Sequence, residues 1–305
     1  QAFAFATNDE INNMTFYSYE IINRSTYTLT NTYFSPWTDV DLGFAYDDFV
    51  GCDVSRGLGY GYNGTNTDGT GQPEAYGSNP PAVGVDFFQG PYLDPDGIDN
   101  PKYNPATGEN CDESINGVNF ENGIVDDERF GMRRFVYHDN AQGVNGDPDK
   151  ASEYYLLLRG YWKNGEKMHF GGNAVPGSSG VTDVPCDFMF PFDSDPCNWG
   201  TGGMPTGFNG YWSEETGNNG SSNDPDDRRF MQSAGPFTLK PGAVNYITFG
   251  VPWARSNSGD AWSSVELLRR VDDKCQSMFD NCFDVLDGPD APDLTFRELD
   301  KKLIV

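Results

Sequence analysis

Carboxylates are the side chains whose spacing in this chain could do chemistry. Asp39, Asp41, Asp47, Asp48 and Asp53 fall within fifteen residues that contain no Lys, Arg or His. Trp37, Phe44, Tyr46 and Phe49 are interleaved with them, so part of the cluster is expected to be half-buried. Like charges repel more strongly as their surroundings dry out. A hard cation such as calcium, which takes six to eight oxygen ligands, would relieve that repulsion. A second acidic stretch carries Asp94, Asp96, Asp99, Asp112, Asn116, Asp126 and Asp127, with ten Asp or Glu between 94 and 128 against one base, Lys102. Its segment Asp112-x-Ser114-x-Asn116-Gly117 follows the first half of an EF-hand loop, but Gly123 stands where the bidentate Glu is required. A looser calcium loop, like those of dockerin-type or thrombospondin-type repeats, is the expectation there.

Other chemistries find less support. His138 and His169 are the only histidines, and neither stands in H-E-x-x-H. No G-x-S-x-G nucleophile turn occurs. Paired carboxylates could serve glycoside hydrolysis, yet among 46 acids a pair is easily found by chance. The glycines of 57–61 have no helix after them and do not read as a phosphate loop. Trp199, Tyr211 and Trp212 could stack on sugar rings. The bland alternative is that they pin long loops to a sheet.

The elements that must position these groups read as mostly β. Residues 14–34 alternate aromatic and β-branched residues around Asn23-Arg24-Ser25, which predicts a hairpin with one wet face. Further strands are expected at 49–62, 82–89, 131–138, 186–192, 236–240 and 244–254. Loops rich in Gly, Asn, Ser and Pro separate them at 63–81, 171–180 and 200–227. The pattern predicts an antiparallel β-sandwich with long loops and two packed helices, the longer near the C-terminus. The first helix is expected over 148–162, with Asp147 as its cap and Gly165 beyond its end. The second is expected to start on a Ser263/Glu266 capping box and to end at Gly288-Pro289. Its apolar stripe is Leu268, Val271, Cys275, Met278, Cys282 and Val285. Cys275 and Cys282, roughly 10 Å apart along such a helix, cannot bridge each other.

Composition bounds the class. The chain has 305 residues, 37% hydrophobic and 14% aromatic, with 46 acids against 20 Lys and Arg for a net charge of −26. A core built on large rings offsets the scarcity of aliphatic residues. The charge disfavours nucleic acid and anionic membrane surfaces. No run of about 18 apolar residues predicts a membrane span. Six cysteines without a CxxC pair fit disulfides in an oxidising compartment. Cys186 and Cys197, flanking a short turn-rich loop, are the preferred pair. Both ends look cut, so the chain is expected to be part of a longer protein. Residues 1–289 are expected to form a sandwich-like domain with inserted acidic loops, and 290–305 a linker and the start of a following element.

Several segments carry a family resemblance. Ala4-Phe5-Ala6-Thr7-Asn8-Asp9, Asn23-Arg24-Ser25, Asp39-Val40-Asp41-Leu42-Gly43 and Asp48-Phe49-Val50-Gly51-Cys52-Asp53 are similar to those of large secreted proteins of Bacteroidota. So are Pro81-Ala82-Val83-Gly84-Val85-Asp86-Phe87-Phe88-Gln89-Gly90-Pro91 and Asp94-Pro95-Asp96-Gly97-Ile98-Asp99-Asn100. Arg229-Phe230-Met231-Gln232-Ser233-Ala234-Gly235-Pro236-Phe237-Thr238-Leu239-Lys240-Pro241-Gly242 and the helix after it match too. Such proteins usually carry a C-terminal sorting domain for type IX secretion, which is expected to lie outside a cut piece such as this. The resemblance implies export and a cell-surface location. Together with the acidic loops it gives the expected function: a non-catalytic, calcium-stabilised structural or adhesive surface module. The alternatives are a carbohydrate-binding or carbohydrate-processing module and a subunit of an extracellular filament. Glycans, other surface proteins and neighbouring domains of the same chain are the expected partners.

Overall fold

Alternation within the strands builds three layers. The computed structural model describes residues 1–7, 9–104, 106–111, 117–204, 211–216, 222–283, 297–299 and 302–304. In chain order the strands are β1 (Ala2–Ala4), β2 (Met14–Ile22), β3 (Leu29–Phe34), β4 (Trp37–Asp39), β5 (Asp48–Asp53), β6 (Leu58–Asn63), β7 (Thr67–Asp68) and β8 (Gly77–Ser78). They continue with β9 (Ala82–Gln89), β10 (Gly117–Val118), β11 (Arg129–Phe130), β12 (Arg134–Asp139), β13 (Arg228–Leu239), β14 (Val244–Ala254), β15 (Arg297–Leu299) and β16 (Lys302–Ile304). Helix α1 spans Ala151–Leu158 and α2 spans Ala261–Asp280. Six strands form one antiparallel sheet in the order β1-β2-β14-β9-β6-β5; β12, β13 and β3 form a second, along which β4 also pairs with β13. The fold is thus mostly β, a two-sheet sandwich with the longer helix near the C-terminal end.

Strand β6 shows how the layers close. Leu58, Tyr60 and Tyr62 enter the cluster shared with Val265, Leu268, Val271 and Cys275 of α2. The alternate positions Gly59 and Gly61 carry no side chain, and the second sheet packs directly over them. A Cβ on Gly59 would lie 2.2 Å from Gln232 Oε1, and one on Gly61 2.4 Å from a Val40 methyl. The glycine cluster therefore permits close sheet packing. Val50, Cys52, Val85 and Phe87 of the larger sheet meet Phe135, Tyr137, Phe230 and Phe237 of the smaller one in the inter-sheet core.

The hairpin expected over 14–34 does not form. β2 pairs with β14, Ile22 opposite Val244, whereas β3 pairs with β13, Leu29 opposite Leu239. The two strands belong to different sheets because buried Asn23 makes the intervening turn a crossover. Its Nδ2 donates to the carbonyls of Tyr27 and Leu239, and its Oδ1 accepts from Ser25. The strand expected at 186–192 is an irregular segment that bridges β12 only at Phe188 opposite Phe135. Met168, Phe170, Phe190 and Trp212, from the loop-rich stretch around it, are buried all the same and extend the inter-sheet core.

Both helix starts differ from expectation. Asp147 does not cap α1, since its carboxylate is 2.8 Å from His138 Nδ1. The helix begins three residues later and stops before Gly160, whose φ is +73°. In α2 the capping box is Asp260 with Ser263 at its third position, one turn ahead of the expected Ser263/Glu266 pair. Cys282 lies beyond the end of α2, and Val285, Gly288 and Pro289 fall outside the described residues. The disulfide joins Cys111 to Cys197; it does not join Cys186 to Cys197. Cys186 cannot reach out, because its N–H donates to Met168 O and its side chain is buried in the core. Cys52 and Cys275 are buried free thiols, and Cys282 is an exposed one.

Candidate metal centre

The open end of the β5–β6 hairpin gathers oxygen atoms. In the antiparallel register Asp48 stands opposite Asn63, so their side chains share the face that looks toward the second sheet. A short 3-10 turn, Ala45–Asp47, delivers Asp47 just before Asp48. Asp68, on β7, comes back beside them after the turn that leaves Asn63. Asp48 is 1% exposed and Asn63 and Asp68 are as deeply buried.

Asp47, Asp48 and Asn63 are each half satisfied, whereas both oxygens of Asp68 have donors. Asp48 Oδ2 accepts the Leu42 N–H at 3.0 Å, and Asp47 Oδ2 accepts the Gly69 N–H at 2.8 Å. The Asn63 amide donates to Thr65 O at 3.0 Å. Asp68 accepts from the N–H groups of Phe44 and Tyr76. Gly43 is needed here: its φ is +74°, and a Cβ would lie 1.9 Å from Asp68 Oδ2. The second oxygens of Asp47, Asp48 and Asn63 are buried and meet no donor. Burial pushes Asp48 up to about 9, and the nearby charges of Asp47, Asp68 and Asp41 add to the rise. Burial also raises Asp47. The largest influences on both acids besides burial come from backbone N–H groups and neighbouring acids. Buried acceptors without donors are costly, and an oxygen-only set suits a hard divalent ion.

The remaining acids of the first cluster have other partners. Asp39, Asp41 and Asp227 form the one set, among the described residues, of three carboxylates with ligand oxygens within 4.8 Å of one another. Arg229 already occupies that set, 3.0 Å from Asp39 and 3.4 Å from Asp227. A fixed guanidinium repels a metal ion, so this tighter trio is the weaker cation site. Asp53 holds Arg56 at 2.8 Å and Arg269 at 3.0 Å.

In the second acidic stretch the carboxylates staple the loop to itself. Asp126 accepts from the N–H groups of Asp96 and Gly97, Asp96 from Ile98, and Asp99 from Asn122 and Gly123. Asp127 accepts from the side-chain amides of Asn119 and Asn122, and Asp94 takes both the N–H and the hydroxyl of Thr238. Asp112 and Asn116 lie outside the described residues. The aromatic trio is divided too. Trp212 is 0% exposed with its Nε1 donating to Gly172 O, the loop-pinning role and not the sugar-stacking one. Trp199 is half-buried and donates to Cys111 O. Tyr211 alone is open, 53% exposed and packed on Phe192.

His138 is wholly buried under Trp37, with ring centroids 4.4 Å apart. Burial holds it down at about 4, so the ring is neutral at neutral pH. Asn63 and Asp68 were missed as site residues by the sequence reading. Their one local signal is the Asn63-Gly64 and Asp68-Gly69 turn dipeptides, which say nothing of register. No protein-family model matches the chain, and neither a curated protein nor a solved structure does.

Proposed function

We propose that this chain is a non-catalytic surface module of an exported bacterial protein, a structural or adhesive unit whose β-sandwich is stiffened by calcium. One observation carries the reading: the buried oxygens of Asp47, Asp48 and Asn63 that meet no donor. Calcium at this point would tie the β5–β6 hairpin to the loops at 41–44 and 67–76, which have little other regular structure. The disulfide between Cys111 and Cys197 supports assembly in an oxidising compartment. The family resemblance supports export by the same reasoning as before.

The test is thermal unfolding of chelator-stripped protein with added calcium, against NaCl matched for ionic strength. A site filled to a hundredfold over its Kd adds about 2.7 kcal/mol, or roughly 5 °C for a chain of this size. Asp48→Asn, which keeps the shape of the side chain, is expected to remove the calcium-specific rise and leave the salt response intact. A wild-type response to calcium no larger than to matched NaCl would end this reading.

A further inference from the structure

Apolar contact does not account for everything that lies between α2 and the sheet. The even positions of β9 look toward the helix, and Ala82 and Phe88 join the cluster containing Val265, Leu268, Val271 and Cys275. Asp86 stands in the same row. It is 0% exposed, and neither of its carboxyl oxygens has a hydrogen-bond partner. On the helix, next to Val271, Asp272 is 1% exposed and its Oδ1 is also without a partner. Among the charges acting on Asp86, that of Asp272 is the strongest. Two carboxyls, from strand and helix, are thus buried in the same otherwise apolar layer.

The neighbouring bases are committed elsewhere. Arg56 bridges Asp53 at 2.8 Å and Asp273 at 2.8 Å. Arg269 holds Asp53 at 3.0 Å and reaches Asp193 at 3.9 Å. Cys275, on the same face of α2, has its thiol pushed up to about 12 by burial, and burial also keeps the Tyr60 phenol of β6 neutral. Opposite Asp86 in the sheet stand Leu58 of β6 and Gly250 of β14, which do not titrate. A cleft of about 230 Å³, lined by Arg56, Asp272, Asp273 and Gln276 among others, connects the helix side of the pair to solvent.

Two ionised carboxylates here would repel with little dielectric screening. One proton removes the conflict, because a neutral carboxyl donates to its ionised neighbour and satisfies an oxygen on each side. We propose that Asp86 and Asp272 share a single proton, and that this hydrogen bond latches α2 to the sheet and makes its docking sensitive to pH. Burial raises both acids, so the folded chain keeps a proton that the unfolded chain releases above about pH 4. The sign follows: the latch contributes fully below that pH and fades as pH rises through the folded-state value.

The pair shares no residue with the calcium site, and the measurement is made in chelator, so the two readings fail separately. Urea unfolding of wild type, Asp86→Asn and Asp272→Asn is followed from pH 5 to 9. In either variant an amide donor replaces the titrating proton. Other acids, Asp48 included, titrate alike in all three proteins, and the difference between curves isolates the pair. The wild-type folding equilibrium is expected to fall against either variant by about tenfold for each unit that the shared acid is raised. Carboxyl carbon NMR of the wild type alone should show one Asp titrating above pH 7 in step with faster amide exchange in α2. Parallel stability curves, ordinary titration of both acids, or a cation found between them would each overturn the proposal.

Discussion

Arg228 opens β13 and is almost wholly buried. Its Nε is 3.0 Å from Glu214, which is itself inaccessible, and its Nη1 is 2.6 Å from Asp139. Burial pushes Glu214 up to about 7, against the opposing pull of this guanidinium. Arg228→Met would strand that carboxyl without a cation. The expected cost is about 3–5 kcal/mol, read as a fall in urea midpoint at unchanged slope; a loss under 1 kcal/mol would mean that Glu214 is held by something else. The same logic explains why the candidate site was only half legible in the sequence. That Asp39, Asp41, Asp47, Asp48 and Asp53 cluster is plain from spacing. Which of them keep unpartnered oxygens depends on Arg56, Arg229 and Arg269, and the last two lie far along the chain. Asn63 becomes an oxygen donor only through the register that sets it opposite Asp48. Asp86 did carry a local signal, a lone charge in the apolar run of β9, but its partner on α2 comes only with the tertiary fold.

At the scale of elements, period-2 alternation and the 3–4 spacing of apolar residues were enough to predict sandwich strands and the C-terminal helix. Pairing was not readable, as β2 and β3 show. Their alternation is that of a hairpin, yet Asn23 bonds across to Leu239 and sends β3 into the other sheet. Side-chain capping is decided just as locally, and Asp260 prevails over Ser263 because it reaches the N–H of Ser263 at 2.9 Å. The bare face of β6 is the more consequential device. Phe230, Phe135 and Gln232 occupy the place where a Gly59 side chain would begin. Gly59→Ala is expected to cost about 1–3 kcal/mol through overpacking, although alanine is the smallest possible change. Near-ultraviolet circular dichroism should shift with it, since rings of the smaller sheet must move. A variant as stable as wild type, with unchanged aromatic signal, would show that the sheets have slack between them.

Across the whole molecule, 46 acids face 20 Lys and Arg, and several of the buried or half-buried guanidiniums already hold acids of their own. Arg56, Arg228, Arg229 and Arg269 each contact two or more carboxylates. The excess negative charge therefore collects in the loops, above all in the stretch at 94–128, where carboxylates bind backbone N–H groups and almost no base is present. Such a loop resists its own compaction, and more so at low salt. The disulfide from Cys111 to Cys197 ties that loop to the segment carrying Trp199 across a sequence separation of 86. Closing a span of that length restrains the unfolded chain, for which about 2–4 kcal/mol is usual. Cys111→Ser with Cys197→Ser should lose that much in denaturant unfolding, and the loss should be larger in dilute buffer than in molar NaCl. Equal losses at both salt concentrations would assign the stabilisation to chain restraint alone; no loss at either would mean that the staples within the acidic loop and the contacts of Trp199 hold it in place without the covalent tie.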